Sequence, residues 1–342
     1  MRQGRAAQYA RPDQQWTQSE GERGALMKTT EPLRPAELGV PDVVDSHHHI
    51  WRMADLPWLQ GPMVPRIFGP YEAVRRDYLV DEYVRDVTAE GVDAAVYVQP
   101  NWALDRVVDE VRWVQGVHDA TGWPHAVVGS ADLFDPGAGE VFQQQIAVSP
   151  LLRGTRLQLH WHENERFRYA SGPARMHDPV FRSNIGLLAD LGWLFELQVF
   201  PRQMADAARL VSDFPGTTFV LVHAGMLESA VERHVATWRS GLELLAPLPN
   251  VMVKLSGIGT FVHRVDEELI RLVTTTTVGM FGSERCMFGS NFPIESIWSD
   301  FHTFMQTWLR VAADLPVEAR RDVLGRTARR VYSLPGADNA LA

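Results

Sequence analysis

The pattern Asp45-x-His47-x-His49, inside VVDSHHHIW at 43–51, is the part of this 342-residue sequence best suited to chemistry. Two imidazoles at i and i+2 share one face of a strand and can hold a single metal ion or a substrate, with the neighbouring carboxylate available to orient a ring. Three successive histidines have little packing rationale, because every ring brings polar nitrogens that need partners. The flanking Val43, Val44, Ile50 and Trp51 are strand residues, which argues against an exposed histidine cluster.

Other polar residues end apolar runs farther along the chain. His223 follows Phe219 and Leu221 and is either a satisfied structural histidine or a working one. Lys254 is one of two lysines, the other being Lys28. Its compact ammonium can polarise a carbonyl or hold a carboxylate, or it can pair structurally with Glu196. His160 and His162 can ligate metal, contact substrate or hold the following loop. Substrate contact is assigned to them, together with Gln99 and with Arg166 in the loop HENERFRYASGPARMHD. Arg166, Arg168 and Arg175 there, with Arg75 and Arg76 in the long loop 52–78, can form a cationic mouth for an anionic substrate, although solvated surface arginines are the ordinary expectation.

The elements that must position these groups alternate. Strand-length apolar runs lie at 43–51, 94–102, 125–133, 154–162, 193–200, 218–225, 250–259 and across RCMFGSNFP, and a segment of helical period follows each. Eight such units predict an α/β protein folded as a (β/α)8 TIM barrel over residues 41–335. An open doubly wound sheet would usually carry a glycine-rich phosphate turn, and no GxGxxG or P-loop occurs. Chemistry in a barrel sits at the C-terminal ends of the strands, where these polar residues fall. Alternation places Asp45, His47 and His49 on one face with His48 toward the helices; Arg156, Gln158, His160 and His162 together; and Glu196 with Gln198.

Residues 1–40, rich in Gln, Arg, Gly and Pro, are expected to be a disordered tail, and 336–342 a C-terminal tail. The net charge of −9 argues against nucleic acid or an anionic membrane as partner, and no apolar run is long enough to span a bilayer. The single Cys286 excludes an internal disulfide and a thiolate zinc cluster. A cytoplasmic enzyme with a small-molecule substrate is expected, and a homodimer is left open.

DSHHHIW, DLPWL, RGTRLQLHWHEN, TFVLVHAGM, NVMVKLSGIG and RCMFGSNFP, in this order over 41–333, resemble the amidohydrolase-related (amidohydrolase 2) TIM-barrel proteins, in the branch of fuconolactonase-like and pyrone-dicarboxylate lactonases. The resemblance implies hydrolysis of a lactone, or a related ester or amide, at the barrel mouth. It implies His47, His49 and His223 as ligands of a divalent ion such as zinc or manganese, with a metal-free route also open, and an Asp at position 291 as the base. Asn291 stands there instead. An amide cannot take a proton near neutral pH and brings no charge to a metal. His223, Asn291 and Lys254 are therefore the candidate catalytic groups. Two other readings remain: a decarboxylase, lyase or cyclase on the same scaffold, and a non-catalytic small-molecule binder.

Overall fold

A computed structural model describes residues 31–335. Its centre is an eight-stranded parallel sheet in sequence order: β1 (Val44–His48), β2 (Ala94–Val98), β3 (Ala126–Gly129), β4 (Leu152–Gln158), β5 (Leu194–Gln198), β6 (Phe219–Leu221), β7 (Val251–Leu255) and β8 (Cys286–Phe288). Each strand is shorter than its apolar run, because the chain turns out of the ladder once its polar residues reach the rim. The main helices are α1 (Val80–Ala89), α2 (Val107–Thr121), α3 (Ala138–Val148), α4 (Pro179–Asp190), α5 (Met204–Asp213), α6 (Glu232–Leu245), α7 (Glu267–Phe281) and α8 (Phe301–Ala313). This is a (β/α)8 barrel.

Local chemistry sets several helix starts. The Asp178 carboxylate accepts from the amides of Val180 and Phe181 ahead of Pro179, Asp266 accepts from Leu269, and Asp300 from Thr303. Each satisfies amide donors that a first helical turn leaves unpaired.

The segment after β8 closes the barrel against β1. Ser46 Oγ donates to the Phe288 carbonyl at 2.6 Å, the Asn291 amide to the His47 carbonyl at 2.7 Å, and the His49 amide to the Phe292 carbonyl at 2.8 Å. Val44, Val96, Val128, Leu194, Val220, Met252 and Met287 fill the lower interior with Tyr332 from the C-terminal helical segment. A second, larger apolar layer lies between strands and helices.

One expectation fails at β1. Val44 points into the barrel and His47 lies beside the interior Glu196, so an odd number of steps separates two inward residues. The register with β2 shifts between Asp45 and His48. An irregularity of this kind breaks alternation and turns Asp45 away from the ring face. Asp45 instead ties the barrel wall: it accepts from the Tyr83 hydroxyl on α1 and from the Ser290 amide, both at 2.8 Å, and from the His47 amide at 3.0 Å. His48 faces outward as expected and stacks on Tyr83.

Residues 1–30 and 336–342, assigned from sequence to tails, lie outside the described residues. Residues 31–40 are packed: Leu38 and Val40 are buried, and the Leu33 amide donates to Gln306 Oε1 at 2.8 Å. Among the described residues no helix is long and apolar enough to cross a membrane.

Candidate active site

Three imidazoles converge at the C-terminal end of the barrel. The His47 ring centroid lies 5.1 Å from that of His49 and 4.9 Å from that of His223. His223 is not on a strand; β6 ends at Leu221 and the chain enters a left-handed turn with His223 at φ 54° and Ala224 at φ 47°. Non-glycine residues in this region cost on the order of 1–3 kcal/mol each, and such strain concentrates at functional sites. Gly257 makes room for the ring, since a Cβ there would fall 2.5 Å from His223 Nδ1.

Outer partners fix how the rings are used. His49 Nδ1 donates to the Val98 carbonyl at 2.6 Å, which leaves Nε2 as the lone-pair nitrogen. His223 Nδ1 contacts Ser256 Oγ at 2.9 Å. Neither His47 nitrogen has a hydrogen-bond partner. Burial, followed by nearby cationic groups, drives the pKa of all three rings down, His49 to about 3, so they are neutral donors at pH 7. Among the described residues no group of three or more His, Cys, Asp or Glu is already drawn into a ligating arrangement. In donor chemistry the site nevertheless suits a divalent ion: neutral imidazoles, two with Nδ1 engaged by outer groups and one with buried nitrogens otherwise orphaned.

The rings abut an open pocket with about 710 Å³ of non-atom space, its solvent-filled mouth included. His49, His223 and Asn291 line its floor with Arg156, Gln158, His160 and Gln198. The long loops expected to cap the site do so, Trp58, Arg66 and Phe68 coming from the first and Arg166, Arg168 and Tyr169 from the second. Among the described residues lining the pocket there is no Asp or Glu.

The other residues singled out from sequence are distributed differently. His160 lines the pocket, buried and neutral with its pKa lowered to about 3 by burial and then by Arg156. His162 does not line it; its Nδ1 accepts from the Asn164 amide at 2.8 Å, and its ring packs on Phe167 and Phe200, so it holds the loop. Gln99 also lies behind the lining, where its carbonyl accepts from Arg156 Nη1 at 3.2 Å and its Oε1 from the Asn101 amide at 2.6 Å. Lys254 is below the floor, paired with Glu196. Of the expected cationic mouth, Arg166 and Arg168 are in place. Arg75 instead donates to the Gly61 carbonyl, Arg76 pairs with Glu82 and Arg175 with Asp178.

Sequence reasoning missed Arg66 and gave no role to Arg156. Arg156 is buried, donates to two neutral oxygens, the Gln99 carbonyl and Gln198 Oε1, and keeps an Nε–H without a partner. Its inward position on β4 was the available signal. Glu295, buried behind Asn291, was also missed, because nothing in NFPIE shows that the turn folds back.

The chain matches the amidohydrolase family over residues 44–334. It belongs to that family. As such it is a hydrolase, and the parallel barrel with its polar C-terminal rim is the family's architecture. This amidohydrolase is 29% identical over 292 residues to the uncharacterised protein y4mH of Sinorhizobium fredii, covering 85% of this chain and 98% of the relative. It is 28% identical over 314 residues to an L-fucono-1,5-lactonase of Burkholderia multivorans, covering 85% and 96%. A crystal structure of a Burkholderia multivorans amidohydrolase with bound zinc superposes with a TM-score of 0.72 at 28% identity, covering 86% of this chain and all (100%) of that one.

Proposed function

We propose that this amidohydrolase is a lactonase that opens a small anionic, sugar-type lactone by attack of water at the pocket floor. The observation that supports this reading most is the floor itself: His223, His49 and Asn291 face a pocket whose only charged lining groups among the described residues are arginines. A carboxylate on the substrate satisfies those guanidiniums, and Arg156, which lines the pocket and is the buried one among them, is the deepest. The similarity to an L-fucono-1,5-lactonase favours a sugar-derived ring.

In this reading His223 Nε2 is the proton acceptor. Its Nδ1 is held by Ser256, and its neutral state leaves a lone pair available. Water loses a proton to His223 as it bonds to the lactone carbonyl carbon. Arg156 stabilises charge on the carbonyl oxygen or holds the substrate carboxylate. The ring C–O bond then breaks, and the leaving oxygen recovers the proton from His223. A divalent ion, which His47, His49 and His223 would hold, would instead supply Lewis acidity that acidifies water, and His223 would then serve as a ligand in place of base.

The test is a pH-stat assay of purified protein against sugar lactones and lactones bearing a carboxylate, after chelation and again with zinc or manganese. Ring opening that saturates at low concentration only for the anionic substrates is expected. Failure with every lactone, together with carbon dioxide release from an aryl acid, would replace hydrolysis with decarboxylation.

A further inference from the structure

Behind Asn291, away from the pocket, sits a carboxyl group that the reaction above does not use. Glu295 lies in the 3-10 turn Ile294–Ile297 and is fully buried. Trp298 Nε1 donates to its Oε2 at 3.0 Å, and Asn291 Nδ2 faces its Oε1 at 3.5 Å. Gly259 permits this approach, since a Cβ there would lie 2.5 Å from Oε2. A buried carboxyl group without a cation is costly, and packing alone would be served as well by an apolar side chain.

Asn291 needs such a neighbour. Its backbone is fixed in the left-handed region at φ 59°, with its amide bonded to His47. Its side-chain amide meets Glu295 on one side and the residue lines the pocket on the other. The two ends of that amide have nearly the same shape and opposite hydrogen-bonding sense. Shape therefore does not decide which end faces the substrate, and a partner of defined sense must.

We propose that Glu295 is the positioning residue of the site, the hydrogen-bonding sense of its carboxyl group deciding which end of the Asn291 amide faces the pocket. An ionised carboxylate only accepts, so it holds Nδ2 and leaves Oδ1 to align the attacking water. A protonated carboxyl group can donate to Oδ1 and turn Nδ2 toward the pocket as a donor to the carbonyl oxygen. Burial raises Glu295 to about 8, so both states are reachable near neutrality. Its hydrogen-bond partners, Asn291 and Trp298, are uncharged. The surrounding charged or titratable groups are engaged elsewhere or contribute nothing to this shift: His263 packs on Trp298 with Nε2 on the Ile67 carbonyl, Arg264 pairs with Asp266, and Glu72 lies on the packed turn Glu72–Val74.

The catalytic consequence rests on the proposed lactone hydrolysis, but the positioning is testable without turnover. In 15N-labelled protein the Asn291 side-chain NH2 resonance is assigned by its loss in Asn291→Asp. It is expected to titrate with a midpoint of about 8, to stop titrating in Glu295→Gln, and to titrate at higher pH in Trp298→Phe, which removes one donor from the carboxylate. In turnover, Glu295→Gln is expected to lower kcat at alkaline pH by about tenfold, the worth of one hydrogen bond, with KM little changed and the inflection of the pH profile lost. An Asn291 resonance that is flat in the wild type, or that titrates identically in Glu295→Gln, overturns the inference. If no lactone is opened while the resonance behaves as stated, the positioning stands and the lactonase reading fails. Trp298→Phe keeps the question open to measurement should Glu295→Gln not fold.

Discussion

Lys254 Nζ lies 2.5 Å from Glu196 Oε1 in the middle of the barrel, both side chains fully shielded, and the Tyr332 hydroxyl donates to the same oxygen at 2.8 Å. By residue type Lys254 suits either catalysis or a structural ion pair. Its position under the three imidazoles, outside the pocket lining, favours the second role. Glu196 Oε2 is 3.9 Å from His47 Nδ1, so the pair also forms the base on which that ring rests.

Lys254→Met strands a buried carboxylate, and breaking one side of such a pair costs about 3–5 kcal/mol. The midpoint of urea denaturation is therefore expected to fall sharply. Adding Glu196→Leu recovers most of the loss, because two apolar groups need no compensation. Equal losses in the single and double variants would show that the pair is not the source of the effect.

Arg156→Met removes the deepest cation of the pocket. A hydrogen bond to a charged group contributes about 1.5–3 kcal/mol. KM for a lactone bearing a carboxylate should rise roughly 10- to 100-fold, with a much smaller change for a neutral lactone of similar size. Equal effects on both substrates would place Arg156 in the chemistry of the carbonyl and not in recognition of charge.

Metal binding is read directly by dialysis against zinc followed by elemental analysis. Wild-type protein is expected to retain zinc after dialysis, and the double variant His47→Asn/His49→Asn to retain much less. Chelation should lower the thermal midpoint of the wild type and leave that of the double variant unmoved, since a ligand that binds only the folded state stabilises it.

Glu110 gives a pH prediction away from the pocket. It is buried, the Tyr97 hydroxyl donates to its Oε1 at 2.8 Å, and burial raises its pKa from 4.5 to about 8. Between those values the native state keeps a proton that the unfolded chain has lost. Stability therefore falls as pH rises through this window. Glu110→Gln removes that proton linkage, so its stability relative to wild type should improve from pH 5 toward about 8, measured by denaturant titration at several pH values. A constant difference across the range would contradict the assignment.

Much of the site was legible because strand periodicity is local. Glu196, Gln198, Lys254 and Ser256 point inward as alternation requires, and HxH delivered two neighbouring rings. Asp45 was misplaced because a single register irregularity reverses parity and leaves no composition signal. The strand-4 face was right through His160 but overextended, since β4 ends at Gln158 and His162 has already entered its loop. Arg75, Arg76 and Arg175 were indistinguishable from Arg66 and Arg168 in sequence, for charge alone does not say which arginine finds a surface partner.

The sequence by itself determined the eight-unit barrel, the imidazole pair on its first strand and an amide, Asn291, just after its last. Those properties follow from residue type and short-range spacing. Only the tertiary structure decided that Lys254 is paired beneath the floor, that Arg156 lines the pocket without a carboxylate partner, and that Glu295 backs the Asn291 amide. Each of these depends on which groups burial brings within hydrogen-bonding distance, and burial is a property of the closed barrel.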